Sequence, residues 1–114
     1  MTLPLTGMYI QPSPDDVRKT YEAVEQWVRK LLASKYDNHK AYTIGIDDNV
    51  IDELELDSLD EVEFVMAIED ADDFARLNPK LEIPDSVAEN WTSIRDVVNY
   101  LMLFPAVVEV CLKK

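Results

Sequence analysis

The stretch Asp57-Ser58-Leu59-Asp60-Glu61-Val62-Glu63-Phe64-Val65-Met66-Ala67-Ile68-Glu69-Asp70 decides how this chain folds. It predicts a helix from about Ser58 to about Asp73, with Asp57 as the N-cap residue. The middle of this helix, from Phe64 to Ile68, is apolar on nearly every side, so other elements have to contact it from more than one direction. The stretch therefore indicates a helix that is packed by several neighbours.

Three more helices are predicted around this one. Ser13 suits an N-cap and Pro14 suits the first helical position of an amphipathic helix that ends near residues 34–36. A short third helix is predicted over about 84–90. A fourth, over about 93–104, opens on a capping box and ends at a proline.

The connection between the first two helices, residues 37–56, is long but too apolar for a solvated linker. Connections of this length are usually functional or disordered, and the apolar content favours an ordered one. We expect the following side chains to insert into the core: Ile44, Ile46, Val50, Ile51, Leu54 and Leu56.

The two ends of the chain are expected to lie outside a helical domain of residues 13–103. Residues 1–12 are predicted to be irregular because prolines interrupt them. Residues 104–114 form a C-terminal extension too apolar to lie free in water comfortably. A tail packed on the helices, a disordered tail and a dimer contact are all compatible with this sequence.

The composition indicates one globular domain of 114 residues with a strongly acidic surface. Twenty-three acidic residues outnumber eleven Lys and Arg, for a formal net charge of −12. Such a surface repels nucleic acids and anionic membranes, and it favours basic protein partners. The alternative is that the charge serves solubility alone.

The residue composition excludes or disfavours several classes of site and several cellular locations. With one cysteine, Cys111, and one histidine, His39, neither an intrachain disulfide nor a Cys/His zinc site can form. No metal site is expected, because the EF-hand-like run that begins at Asp47 lacks its central glycine. A glycine-rich phosphate-binding loop is excluded as well, because the chain has only two glycines. The absence of a secretory signal or a membrane-length apolar run leads us to expect a cytoplasmic protein.

Ser58 is the candidate functional residue, although not as a hydrolase nucleophile. A serine nucleophile needs a general base and an oxyanion hole, and nothing near Ser58 supplies either. The alternative for the triplet by itself is a plain helix start that is capped by Asp57 or Ser58.

The residues around Ser58 closely resemble the modification-site helix of acyl carrier proteins. Further segments resemble that family in the right order, and together they span about residues 15–101. These are Val50-Ile51-Asp52-Glu53-Leu54 before the site, Glu82-Ile83-Pro84-Asp85 with Ala88-Glu89 in the third helix, and Thr92-Ser93-Ile94 through Tyr100-Leu101 in the fourth.

The resemblance implies an all-α, antiparallel four-helix bundle with three longer helices, one short helix and a long ordered first loop. It implies a monomeric carrier rather than an enzyme, with 4′-phosphopantetheine attached to Ser58 and acyl groups held on it as thioesters. The implied partners are a phosphopantetheinyl transferase and enzymes that transfer or elongate acyl groups through basic patches. The pathway would be fatty acid, specialised lipid or polyketide synthesis.

The resemblance also assigns a docking face and a cavity to the second helix and its neighbours. Acidic residues near the C-terminus of a helix are unfavourable with its dipole, which favours a surface kept for a basic partner over a merely solvated face. The docking residues implied are Asp57, Leu59, Asp60, Glu63, Glu69 and Asp70. The side chains expected to border an acyl cavity are Leu54, Val62, Met66 and Ile83, and for Val62 and Met66 a plain core position is the simplest alternative.

Three departures from the family pattern indicate a specialised member. Glu55-Leu56 stands where the family has Gly-Ala, the connection from Phe74 to Leu81 is longer, and both ends carry apolar extensions. An aminoacyl or peptidyl carrier, and an unmodified acidic adaptor protein, are the alternatives to an acyl carrier.

Overall fold

The computed structural model describes residues 14–77 and 80–113, and all regular structure in these two ranges is helical. The all-α prediction is confirmed. The α-helices of this part of the chain are α1 (Pro14–Tyr36), α2 (Val50–Glu53), α3 (Ser58–Glu69), α4 (Asp85–Ala88), α5 (Ile94–Leu101) and α6 (Pro105–Leu112), with 3-10 turns at His39–Tyr42 and Asp72–Phe74.

The serine-bearing helix α3 ends at Glu69, four residues before the predicted end. Ala71 leaves the helical conformation with ψ 134°, and a separate 3-10 turn follows it. This turn brings Phe74 into the core, where its ring packs against that of Trp27 in a tilted arrangement with centroids 4.5 Å apart. Burying the large Phe74 ring stabilises the protein more than extending α3 would, because acidic residues at the end of a helix interact unfavourably with its dipole.

Helix α1 is the centre of the bundle and contacts α3, α5 and α6. Its apolar stripe supplies fully buried residues such as Val24 and Val28, as the helical spacing predicted. The partner helix α5 buries its whole apolar face against this stripe, as predicted: Ile94, Val97, Val98 and Leu101.

The long first connection is ordered, as predicted. Ile44, Val50 and Leu54 are buried, while the other inserted side chains are partly buried. Arg29 of α1 is only 6% exposed, and it donates hydrogen bonds to the backbone carbonyls of Ala41 (3.1 Å) and Ile44 (2.7 Å). A buried guanidinium needs such acceptors, so this residue fastens the connection to α1.

The apolar C-terminal segment forms α6, which packs on α1 and on the Asp72–Phe74 turn. Val107 and Cys111 are buried on its inner face. Of the alternatives for the tail, the packed one is therefore seen. The predicted irregular segment 1–12 lies outside the described residues, and the domain boundaries at 12/13 and 103/104 stay predictions.

None of the described helices combines the length and the apolar character needed to cross a membrane.

Candidate functional site

Ser58 is the first residue of α3 and its side chain is exposed. Asp57 caps the helix: its carboxylate accepts from the backbone N–H of Asp60 at 2.9 Å, and the Asp60 carboxylate accepts from the N–H of Asp57 at 3.0 Å. In this reciprocal capping box, the backbone N–H groups of Asp57 and Asp60 find acceptors without the Ser58 side chain. No hydrogen bond of the Ser58 hydroxyl is found within the described ranges, so the hydroxyl is available for chemistry.

The turn that leads into α3 is made without glycine. Glu55 adopts φ 55°, in the left-handed region that a side chain disfavours. The backbone N–H of Leu56 then donates to the carbonyl of Ile51 at 2.8 Å and closes the turn. Glu55, which stands where the family has glycine, therefore makes this turn in a strained backbone conformation.

The serine end of α3 is held by the C-terminal end of α1. The Tyr36 hydroxyl donates to the backbone carbonyl of Asp60 at 2.7 Å, and Lys35 lies 3.8 Å from the carboxylate of Glu63. Burial, and secondarily the charges of Asp60, Glu63 and Asp57, raise the pKa of Tyr36 to about 12. The phenol therefore stays protonated and remains a donor at neutral pH.

A groove of about 490 Å³ runs alongside α3. Its walls come from α3, from the end of the first connection and from the segment between residues 83 and 97, and its floor reaches Leu32 of α1. The lining is mainly apolar, with carboxylates at Glu61, Glu69, Asp85 and Glu89. An apolar concavity with a few polar groups is the usual form of a small-molecule site.

Three of the four predicted cavity residues line this groove. Val62 and Met66 are 56% and 52% exposed, so they are not core residues but belong to the groove wall along with buried Ile83. Leu54 is not among the side chains that line this groove. Leu54 is the C-cap residue of α2, which ends at Glu53, and its side chain is buried in the core.

The groove opens one helical turn from Ser58. Glu61 and Val62, which line it, follow the serine by three and four residues and so share its side of α3. Along the axis of α3, Ser58 is separated from Glu61 and Val62 by a rise of about 5 Å. A group attached to the Ser58 oxygen therefore starts about one helical turn from the nearest groove residues of α3.

The predicted docking residues are not equivalent. Asp57 and Asp60 form the capping box and keep exposed or partly exposed carboxylates, and Leu59 is 64% exposed. The negative charge of Glu63 is partly balanced by an ion pair with Lys35, and that of Asp70 by an ion pair with Lys80 at 3.4 Å. Glu69 faces inward instead: its carboxylate accepts from the backbone N–H of Ile83 at 2.6 Å and lines the groove.

Sequence reasoning missed Trp91 as a groove residue. Its ring contacts Tyr100 edge-on at 5.8 Å, and Tyr100 in turn contacts Phe104 at 5.2 Å, so an aromatic ladder joins the groove to the start of α6. A signal existed, since Trp91 is a large aromatic side chain two residues before Ser93, the N-cap of α5. In the described parts of the chain, no group of His, Cys, Asp or Glu is placed to hold a metal ion.

The chain is 34% identical to the acyl carrier protein of Rickettsia typhi over 85 residues, which make up 75% of this chain and 90% of that protein. The chain belongs to the acyl carrier protein family. The acyl carrier proteins of Campylobacter concisus and Campylobacter hominis are 45% and 48% identical over 58 residues, about two thirds of their length. No family model matches the chain, and no solved structure matches it. As a member of the acyl carrier protein family, the chain is a carrier of acyl groups and not an enzyme.

Proposed function

We propose that Ser58 carries 4′-phosphopantetheine and that the thiol of this arm holds acyl intermediates as thioesters. The observation that supports this most is the exposed Ser58 hydroxyl, which is released from capping by Asp57 and lies one turn from an apolar groove. A serine that capped its own helix would lose about 1 kcal/mol of capping energy on modification. Here modification costs no hydrogen bond that the described residues make.

The residues around Ser58 fit a phosphodiester that stays hydrated. The first turn of α3 favours negative charge through its backbone N–H groups, but the N–H groups of Asp57 and Asp60 are already engaged in the capping box. The exposed carboxylates of Asp57 and Glu61 flank the serine and repel a phosphate. The arm is thereby directed outward, with its far end free to fold back over Val62 and Met66.

Attachment is a group transfer from coenzyme A. The Ser58 oxygen forms a bond to the pantetheine phosphate, the pyrophosphate bond breaks, 3′,5′-adenosine bisphosphate leaves, and the hydroxyl proton passes to the transferase. The bound arm supplies a thiol for thioester formation. The groove side chains of this chain then shelter the apolar cargo from water.

The partners are a phosphopantetheinyl transferase and acyl-transferring or acyl-elongating enzymes that present basic patches. A net charge of −12 promotes encounter with such enzymes and disfavours nucleic acids. We place the carrier in the cytoplasm as a monomer, in fatty acid, specialised lipid or polyketide synthesis. The α6 helix, packed beside the aromatic ladder, supports a specialised member of the family.

Incubation with coenzyme A and a phosphopantetheinyl transferase, followed by intact mass measurement, tests the proposal. Wild-type protein should gain one phosphopantetheinyl group, and Ser58→Ala should gain none with unchanged helical circular dichroism. The matched control is Ser86→Ala, which removes another exposed serine in a short helix near the groove. It should be modified like the wild type.

Modification of Ser58→Ala would contradict the proposal because the arm would then be attached elsewhere. An unmodified wild-type protein would also contradict it, and would favour the acidic adaptor. The mass of the protein from its own host then separates the remaining classes. An acyl adduct supports the acyl carrier, and an amino acid or peptide adduct supports the aminoacyl or peptidyl carrier.

A further inference from the structure

The segment of residues 80–84, which leads into α4, contributes Ile83 to the lining of the groove. It is extended and alternates strictly between exposed Lys80, Glu82 and Pro84 and buried Leu81 and Ile83. In extended backbone, successive side chains point to opposite sides. Ile83 therefore projects inward, and it is the member of the inner pair that lines the groove.

The position of Ile83 depends on Glu69. The Glu69 carboxylate, on the last turn of α3, accepts from the backbone N–H of Ile83 at 2.6 Å in a partly buried setting. Hydrogen bonds to an ionised acceptor are about twice as strong as neutral ones. The other tie of this segment to α3, Lys80 to Asp70, is an exposed ion pair at 3.4 Å and contributes little.

A second cavity, of about 570 Å³, adjoins this contact. Glu69, Ile83 and Asp85 line both cavities. The two cavities are thus neighbours, and the hydrogen-bonded pair of Glu69 and Ile83 stands between them. Loss of this pair would join the spaces and lengthen the groove.

We propose that Glu69 is a positioning residue that limits the length of the acyl chain, because it holds Ile83 across the far end of the groove. This rests on the proposed attachment at Ser58. The lining of α3 runs from Glu61 near the serine to Glu69, a rise of about 12 Å along the helix. A chain that enters beside Glu61 meets Ile83 after that distance.

The test uses the full chain loaded at Ser58 with saturated acyl chains of graded length, in two-carbon steps, from the matching acyl-coenzyme A thioesters. The melting temperature of each loaded form is compared with that of the form bearing the arm alone. In the wild type, the gain should rise with chain length until the groove is filled and then stay level. In Glu69→Ala, the rise should continue by at least one further step.

Two variants make the comparison specific. Glu69→Gln keeps an oxygen that can accept from Ile83, and it should restore the wild-type limit. Lys80→Ala removes only the exposed ion pair, and it should leave the limit where it was. Ile83→Ala should move the limit to longer chains, and it carries the test by itself if Glu69→Ala does not fold.

Hydrogen exchange of the Ile83 amide gives an independent readout. The amide should be protected in the wild type and in Glu69→Gln, and it should exchange faster in Glu69→Ala. An unchanged chain-length limit in a folded Glu69→Ala overturns the proposal, and so does an unchanged limit in Ile83→Ala or an equal shift in Lys80→Ala. Failure of the attachment at Ser58 is a separate result, because then no form, the wild type included, gains acyl mass.

Discussion

The Tyr36 hydroxyl, at the last residue of α1, donates a 2.7 Å hydrogen bond to the backbone carbonyl of Asp60 in the first turn of α3. The two residues are 24 positions apart in the chain. Through this bond, the end of the longest helix fixes the turn that presents Ser58. The position of the proposed attachment site is thus tied to the core of the bundle.

Replacing Tyr36 with Phe should destabilise the protein by about 1 kcal/mol at neutral pH, the usual net value of one hydrogen bond. It should also change the response to alkali. The phenol ionises near pH 10 in the unfolded chain, but it stays protonated to about pH 12 in the folded protein. The stabilisation from this group is therefore complete below pH 10 and is lost as the pH rises from 10 to 12.

Denaturant unfolding of the wild type and of Tyr36→Phe across this pH range measures the effect. The difference between the two should shrink as the pH rises. Tyr42→Phe, a change at an exposed tyrosine of the first connection, should show no such trend. A constant difference from pH 8 to pH 12 would contradict the role given to the Tyr36 hydroxyl.

Glu55→Gly should stabilise the protein. Glycine removes the strain of φ 55°, worth about 1–2 kcal/mol for a side chain in this region, and loses part of that gain to chain entropy. The net expectation is about 0.5–1 kcal/mol. The control Glu53→Gly, in helical backbone two residues earlier, should destabilise instead. Equal effects at both positions in urea unfolding would show that the turn is not strained.

Val107→Ala should loosen α6 from α1. Val107 is 1% exposed, and truncation of a buried valine costs about 1–2 kcal/mol. Leu112→Ala, at an exposed position of the same helix, should cost far less. Removal of residues 105–114 should lower the melting temperature further, and an unchanged value would show that α6 adds nothing to the core.

The single thiol reports the same event without denaturant. Burial, and secondarily the charge of Asp73, raise the pKa of Cys111 to about 11, so the thiol is protonated and shielded in the folded protein. Labelling with a thiol reagent at neutral pH should be slow in the wild type and several-fold faster in Val107→Ala.

Lys35→Gln should speed docking to a basic partner enzyme. Lys35 lies 3.8 Å from Glu63 and offsets part of the acidic face of α3, so its removal strengthens the attraction. We expect the association rate to rise about two- to five-fold at low salt, with little change at high salt. Lys19→Gln changes the net charge equally but lies near the other end of α1, and it should have a smaller effect. Equal effects of the two changes would point to net charge alone.

Local signals in the sequence were sufficient to predict where α3 and α5 begin. The capping boxes at Asp57 with Asp60 and at Ser93 with Asp96 are formed between residues three apart, so no other part of the chain has to be known. The apolar period of α1 likewise predicted its buried face. The candidate site at Ser58 followed from the same local pattern together with the family resemblance.

Only the tertiary structure decided what each apolar or acidic side chain does. The hydrophobic effect is non-directional, so the apolar character of a residue does not specify where its side chain is buried. The sequence therefore could not distinguish Met66, which borders a groove, from Leu54, which lies in the core. Nor could it tell that Glu69 bonds to Ile83, fourteen positions away. Such contacts depend on chain segments that meet only after folding, and the form of α6 depended on the surface that α1 offered it.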